Sequence, residues 1–251
     1  MNLFRALWYW LTLFVVTVYC SAACVLGSLV GVRYRKGGLY DNAARWWGSW
    51  LSSLNGLTLR VEGLDAIPSD RPYVFIVNHF SFSDIWVLLA VLPDSVRFVA
   101  KKELFSVPLF GHALRAARHI RIDRKNLQAA FGAYEKAGAS IRSGISAIVF
   151  AEGTRSLDGR LHPFKKGPLV LAIAAQVPVI PVWIDGAFAA LPKGQWYVKP
   201  GVVTLKFGAP VPTAGLDYEA REALMEQVRG AIVALAGDSP AVRVDSAAAH
   251  H

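Results

Sequence analysis

Short runs of β-branched and aromatic residues alternate with helical patterns from residue 57 onward, and this alternation limits the fold more than any other feature. The strand-like runs lie at 57–61, 73–77, 96–100, 119–122, 146–150, 178–184 and 202–207. Helical patterns lie at 84–92, 108–117, 126–142, 168–176 and 217–236. Several strands are apolar on both faces, as strands covered by helices on each side are. The pattern predicts an α/β fold: a layered, mostly parallel sheet of about seven strands flanked by helices, with its site at the carboxyl ends of the strands.

The first part of the chain has a different composition. Residues 6–32 contain no charged side chain, and this run is longer than the ~20 residues needed to cross a hydrocarbon core. Arg33, Arg35 and Lys36 follow at once, so the positive-inside bias favours a cytoplasmic face for everything downstream if the segment spans. We expect the protein in the inner membrane of the cell. A cleaved signal peptide is the alternative, but its hydrophobic region is usually only about 7–15 residues long. We therefore expect a membrane anchor that either spans the bilayer or dips into one leaflet.

A second segment, 40–56, carries Trp46, Trp47 and Trp50, and tryptophan favours the headgroup level of a bilayer. We predict an interfacial helix here, with a core helix of the main domain as the alternative. The two N-terminal segments could also form one hairpin in a single leaflet. The chain then divides into three parts. Residues 1–56 are the membrane anchor with the interfacial helix, 57–240 the α/β domain, and 241–251 a tail whose AAAHH ending resembles an expression-tag remnant.

The net charge of +9 indicates an anionic partner. No long Lys/Arg run or zinc-finger spacing favours nucleic acid, whereas the apolar N-terminus favours membrane lipid. Cys20 and Cys24 are the only cysteines, and both lie inside the apolar run. We expect them to be lone thiols in lipid, which excludes a disulfide framework and a cysteine nucleophile in the main domain.

The stretch NHFSFSD at 78–84 directly follows the strand at 73–77. A turn after this strand can bring Asp84 beneath the imidazole of His79. The carboxylate would then fix the tautomer of the ring, leaving the other nitrogen free to take a proton. The alternative is structural: His79 completes the strand end, Asp84 caps a helix, and Ser83 is a candidate N-cap.

Cationic side chains follow other strands at the same predicted edge. The stretch FAEGTRS at 150–156 combines a glycine for a tight turn, a hydroxyl and a guanidinium suited to phosphate. Its candidate residues are Glu152, Gly153, Thr154 and Arg155. Further candidates are Lys101, Arg124, Lys165 and Lys166, the last two just before Pro168, a good first helical residue. Singly these are surface cations, but together they predict a phosphate site.

Four blocks of the chain, in order, resemble the 1-acyl-glycerol-3-phosphate acyltransferase (PlsC-like) family. The family's blocks are NHxxxxD, a block ending in arginine, FPEGTRS and an apolar block centred on proline, which correspond here to 78–84, 111–124, 150–156 and 179–184. Ala151 stands where proline is usual, which we expect to alter loop rigidity rather than chemistry.

The resemblance implies transfer of a fatty acyl group from acyl-CoA or acyl carrier protein to the sn-2 hydroxyl of 1-acyl-glycerol-3-phosphate, giving phosphatidic acid. His79 would be the general base, oriented by Asp84, and no G-x-S-x-G elbow indicates an acyl-enzyme. No cofactor or metal is expected. The residues expected to hold the acceptor are Arg155, Arg124, Lys101, Gly153, Thr154 and Glu152, then Lys165, Lys166 and Asn78. Glu152 would fix Arg155 or accept the acceptor hydroxyl.

Other functions remain open at this point. The acceptor could be another lysolipid, such as lysophosphatidylglycerol or a lyso-aminolipid, or glycerol 3-phosphate. A metal-dependent lipid hydrolase would use His79, Asp84 and Glu152 as ligands. A catalytically silent lipid-binding protein is the third alternative.

Overall fold

The computed structural model describes residues 2–93, 95–123 and 127–242. The strands are β1 (Leu57–Glu62), β2 (Val74–Val77), β3 (Val96–Lys101), β4 (Ile120–Ile122), β5 (Ser146–Phe150), β6 (Val179–Asp185) and β7 (Gly201–Phe207). The α-helices are α1 (Asn2–Leu29), α2 (Leu39–Leu54), α3 (Ser83–Val91), α4 (Phe110–Ala116), α5 (Leu127–Arg142), α6 (Lys166–Ala175), α7 (Ala187–Ala190) and α8 (Arg221–Ala236). The predicted phosphate ligand Arg124 and the tail residues 243–251 lie outside the described residues.

The strands form one sheet in the order β1-β7-β6-β2-β5-β3-β4. Five neighbouring strands, β6, β2, β5, β3 and β4, run in the same direction, while β7 is antiparallel to β6 and parallel to β1. This confirms the predicted mostly parallel seven-stranded sheet. Because parallel strands end at the same edge, the loops after β2, β3 and β5 lie side by side.

The two faces of the sheet are covered by different helices. Phe75 and Val77 of β2 point into a core that α1, α2 and α3 complete. Val74 and Ile76 alternate to the opposite face, where they pack with apolar side chains of α5, α6 and α8. Every residue of β2 and β5 is buried, which is the physical reason for their continuous apolar sequences.

Two predicted helix starts were wrong. α3 begins at Ser83 itself, and the preceding Phe82 makes no side-chain capping bond. α6 begins at Lys166, so Pro168 is its third residue and not its first. A proline is tolerated there because the first N–H groups of a helix have no intrahelical partner.

α1 and α2 form an antiparallel hairpin held by polar contacts between the helices. The indole Nε1 of Trp8 donates to the carbonyl oxygen of Leu54 at 2.7 Å. Trp47 donates from Nε1 to Oγ1 of Thr17 at 2.9 Å. Among the described helices, α1 is the one long and apolar enough to cross a membrane.

The hairpin is part of the main core. Tyr9, Val16 and Cys20 of α1 and Leu51 of α2 belong to the same buried cluster as the sheet residues. The boundary predicted at residue 56 therefore does not separate two cores. The expectation that Cys20 and Cys24 face lipid was wrong, because both thiols are buried against the domain.

The other side of the hairpin is apolar and exposed. α1 exposes a row of large side chains that includes Phe4, Leu7, Leu11, Phe14 and Leu26. On α2, the rings of Trp46 and Trp50 are also exposed and stack with centroids 6.1 Å apart. One face of α2 is thus exposed and aromatic, as expected for an interfacial helix, while the opposite face packs in the core, as the alternative expected.

Candidate active site

His79 and Asp84 meet in the loop between β2 and α3. Oδ2 of Asp84 lies 2.9 Å from Nδ1 of His79 and accepts the N–H groups of Phe80 and Ser81, each at 2.8 Å. Because three groups converge on one oxygen, the carboxylate both shapes the loop and orients the ring. An ionised carboxylate only accepts hydrogen bonds, so Nδ1 carries the proton and Nε2 presents a lone pair. This contact confirms the predicted proximity of the pair.

A second carboxylate fixes the backbone around the histidine. Glu152 follows β5 and is almost fully buried. Its two oxygens accept the backbone N–H groups of His79 at 2.9 Å and His162 at 3.0 Å. Burial raises the pKa of Glu152 to about 7, against the opposing effect of these hydrogen bonds. Glu152 thus ties the loop after β5 to the loop after β2, a role that sequence reasoning missed.

Asn78 extends the sheet beyond the last backbone pair of β2 and β6. Its side-chain amide donates to the carbonyl oxygen of Ile184 at 2.9 Å and accepts the Ile184 N–H at 2.7 Å. The side chain is fully buried, so this residue acts as a strand substitute that sets the starting point of the His79 loop. Asn78 is committed to the backbone rather than to the cavity.

The imidazole of His79 borders a cavity of about 370 Å³. The ring stacks on Phe150, the last residue of β5, with centroids 3.7 Å apart. Most of the lining is apolar and comes from α1, α2, β3 and α4. The buried Cys20 and Cys24 are part of this wall. A cavity of this size and character accommodates a long apolar group beside the histidine.

Two of the predicted cations line the same cavity. Arg155 is half-buried, and no hydrogen bond or ion pair holds its guanidinium within the described part of the chain. Lys101, at the end of β3, is exposed and lies 3.5 Å from a carboxylate oxygen of Glu103. Together they give the lining of this cavity a cationic side, as suits an anionic group.

The other predicted ligands lie outside this lining. Lys166 donates to Oε1 of Glu222 on α8 at 3.0 Å, and Lys165 is exposed. Thr154 is exposed as well. Gly153 has a φ of +69°, a conformation that disfavours side chains, so it turns the loop between Glu152 and Arg155.

The trio expected of a metal-dependent hydrolase is not assembled as a ligand set. The described residues contain no group of three His, Cys, Asp or Glu side chains that could hold a metal ion. Both oxygens of Glu152 accept backbone N–H groups, those of His79 and His162, and neither is hydrogen-bonded to the imidazole of His79.

Comparison with known proteins decides the family. A family model described as acyltransferase matches residues 58–185, about half of the chain, including the loops that carry His79, Asp84 and Arg155. The chain belongs to the acyltransferase family. This confirms the resemblance carried by the four sequence blocks and, with it, the enzyme class, an O-acyltransferase.

Relatives of this acyltransferase come from plants and from a bacterium. It is 32% identical over 241 residues to a 1-acyl-sn-glycerol-3-phosphate acyltransferase of Cocos nucifera, covering 89% of this chain and 76% of the relative. It is 36% identical to the protein of the same name from Limnanthes douglasii, covering 72% of this chain and 63% of the relative's length. The crystal structure of the LPA acyltransferase PlsC from Thermotoga maritima superposes with a TM-score of 0.72 at 30% identity, covering 94% of this chain and 96% of that one.

Sequence reasoning missed some site residues of this acyltransferase. Phe150 opens the FAEGTRS block, but its apolar side chain indicates only a core position, whereas in the structure its ring stacks on the imidazole. Trp47 and Cys20 lie in helices assigned to the membrane, yet they line the cavity. These residues are recognised as part of the site only from the folded structure, in which segments distant in sequence meet around the cavity.

Proposed function

We propose that this acyltransferase moves a fatty acyl group from acyl-CoA or acyl carrier protein to the sn-2 hydroxyl of 1-acyl-glycerol-3-phosphate, giving phosphatidic acid. The observation that carries the proposal is the 2.9 Å contact between Asp84 and the imidazole of His79, which borders an apolar cavity that Arg155 also lines. The names of the relatives support this acceptor over other lysolipids and glycerol 3-phosphate.

In the proposed reaction the lipid hydroxyl attacks the thioester directly. Nε2 of His79 takes the hydroxyl proton while the new C–O bond forms, and Asp84 stabilises the resulting imidazolium. The tetrahedral intermediate then collapses with cleavage of the C–S bond. The imidazolium returns its proton to the departing thiolate, so the enzyme ends in its starting state without a cofactor.

The acceptor phosphate is assigned to the cationic side of the cavity. Arg155 supplies a planar guanidinium that can bind phosphate through two parallel hydrogen bonds. Lys101 adds a second positive charge from the neighbouring loop. The absence of a protein partner for Arg155 in the described chain supports this role, because a guanidinium already held by a carboxylate would be less available.

We also propose that the α1–α2 hairpin lies in one leaflet rather than crossing the bilayer. α1 is 28 residues long, or about 42 Å at 1.5 Å per residue, and packs against the domain over much of its length. A transverse orientation would carry the packed domain into hydrocarbon, where its polar groups lose water. The exposed apolar row and the exposed tryptophans suit an in-plane helix pair at the cytoplasmic surface of the inner membrane.

The test is an assay of the purified full chain with a panel of lysolipids and with acyl-CoA or acyl carrier protein as donors. We expect the highest kcat/KM for 1-acyl-glycerol-3-phosphate. His79→Ala should lower kcat by about 10²–10⁴-fold with the fold retained by circular dichroism. Lys166→Ala is the matched control, since Lys166 pairs with Glu222 outside the cavity.

Three outcomes would contradict the proposal. A higher kcat/KM for an acceptor without phosphate would overturn the assignment of the acceptor. Unchanged turnover in His79→Ala would overturn the mechanism, because another group would then be the general base. Full activity after exhaustive chelation is expected, whereas a loss that Mg²⁺ or Mn²⁺ restores would revive the hydrolase alternative.

A further inference from the structure

A second histidine, His119, lines the cavity but has no role in the proposed reaction. Its Nδ1 accepts the backbone N–H of Phe98 at 3.1 Å. Burial, and then the nearby Arg97, lower the pKa of His119 to about 3, so its ring is neutral at physiological pH. A neutral ring that accepts at Nδ1 carries its proton on Nε2. Among the described residues, this Nε2 has no hydrogen-bond partner.

A ladder of stacked rings joins the two histidines along one wall of the cavity. His79 stacks on Phe150 with centroids 3.7 Å apart. Phe150 stacks on Phe98 at 5.8 Å, and Phe98 on His119 at 6.4 Å. The rings belong to β2, β5, β3 and β4 or the residues beside them, which are consecutive neighbours in the sheet. Three strand spacings of about 4.8 Å therefore separate the histidines by roughly 14 Å.

The N–H at Nε2 of His119, which has no hydrogen-bond partner among the described residues, determines which kind of acyl chain suits the cavity. A plain hydrocarbon chain filling the cavity would bury the Nε2 proton of His119 without an acceptor, which is unfavourable. A hydroxyl or oxo group on the chain would accept that proton. Because His119 lies roughly 14 Å from His79, an oxygen on the third carbon, close to the reacting carbonyl, could not reach it.

We propose that His119 recognises an oxygen atom in the middle or distal part of an acyl chain, by donating a hydrogen bond from Nε2. The inference rests on the proposed function and narrows its substrate class to long acyl chains that carry a hydroxyl or oxo group. Such a chain belongs either to the thioester donor or to the lysolipid acceptor.

The experiment compares pairs of acyl-CoA donors of equal length, plain or hydroxylated, with a plain 1-acyl-glycerol-3-phosphate acceptor and the full chain. One neutral hydrogen bond predicts a kcat/KM about five- to tenfold higher for a hydroxyl in the distal half of the chain. A hydroxyl on the third carbon should bring no gain. The reciprocal arm uses a plain donor with hydroxylated acceptors, and a preference confined to that arm assigns the oxygen to the acceptor chain.

A variant separates recognition from a structural role of the ring. In His119→Asn, the side-chain oxygen can replace Nδ1 as acceptor for Phe98, but nothing replaces Nε2. We expect the ratio of kcat/KM between hydroxylated and plain chains to fall to about one in this variant. The ratio is the readout because a general loss of packing would lower both values together.

Three results would overturn the inference. One is that wild-type enzyme gives the same kcat/KM for plain chains and for chains with a distal oxygen, in the donor arm and in the acceptor arm; this result needs no variant. Another is a preference that His119→Asn retains. Absence of transfer of every chain, from acyl-CoA and from acyl carrier protein alike, would refute the proposed function as well. That result is distinct from the first one, in which plain and oxygenated chains are transferred equally well.

Discussion

Replacing Asp84 with asparagine tests how the carboxylate acts on His79. The Asp84 side chain is fully buried, and its Oδ2 accepts three hydrogen bonds, one from the ring and two from the backbone. The asparagine oxygen can keep these bonds because the two side chains have the same shape. The variant loses the negative charge, and its amide NH₂ takes the place of Oδ1, which is buried without a hydrogen-bond partner among the described residues.

The size of the loss follows from the distance. When the His79 ring takes a proton, its charge is centred about 4 Å from that of the carboxylate, and such a pair interacts by about 4 kcal/mol at an effective dielectric constant near 20. Each 1.36 kcal/mol of transition-state stabilisation is a factor of ten in rate. We therefore expect Asp84→Asn to lower kcat by about 10³-fold with little change in KM.

The assay is steady-state transfer from acyl-CoA to 1-acyl-glycerol-3-phosphate, with circular dichroism and Tm as checks on folding. A kcat within tenfold of wild type in a folded variant would refute the reasoning. The double variant His79→Ala/Asp84→Asn adds a sharper criterion. It should be no slower than His79→Ala, because Asp84 acts through the ring; additive losses would mean that the carboxylate has a separate role.

Three further predictions concern the residues around this pair. Arg155→Ala should lower kcat/KM for a phosphorylated acceptor by about 10–100-fold, the value of a charged hydrogen bond, but spare a monoacylglycerol; equal losses would contradict phosphate binding. Glu152 has a folded-state pKa near 7, above its usual value of 4.5, so its contribution to stability is fully present below about pH 4.5 and is lost as the pH rises through 7. Urea unfolding should show this loss, on the order of 3 kcal/mol, in wild type but not in Glu152→Gln. Asn78→Ala should lower the free energy of unfolding by about 2 kcal/mol, because both backbone groups of Ile184 lose their partner; an unchanged urea midpoint would contradict this.

The secondary structure could largely be predicted from the sequence. The seven strands lie within one residue of their predicted bounds, because most of the apolar runs are bounded by glycine, proline or charged residues. The predicted bounds of the helices agree less well with the structure. α8 begins at Arg221 instead of residue 217, since a 3₁₀ turn at Tyr218–Ala220 precedes it. Helix starts depend on capping contacts, as the wrong predictions for Ser83 and Pro168 illustrate.

The partners of the site residues could be predicted only where they are close in sequence. His79 and Asp84 are five residues apart, so one turn decides whether they meet, and the residue types indicate why they should. Glu152 is 73 residues from His79. Its chemistry suggested a contact with Arg155 or the substrate, and nothing local in the sequence indicates that it accepts backbone N–H groups.

The sequence by itself determined the chemical groups available to this acyltransferase, the strands that carry them and the apolar N-terminal run. The tertiary structure decided which groups meet: it placed Arg155 and Lys101 on the lining of the cavity that the imidazole borders, turned Lys166 toward α8, and made α1 and α2 a wall of that cavity. The physical reason is that local periodicity records which side of each element is buried. Which distant element covers that side depends on the order of the strands in the sheet and on how the helices pack over it.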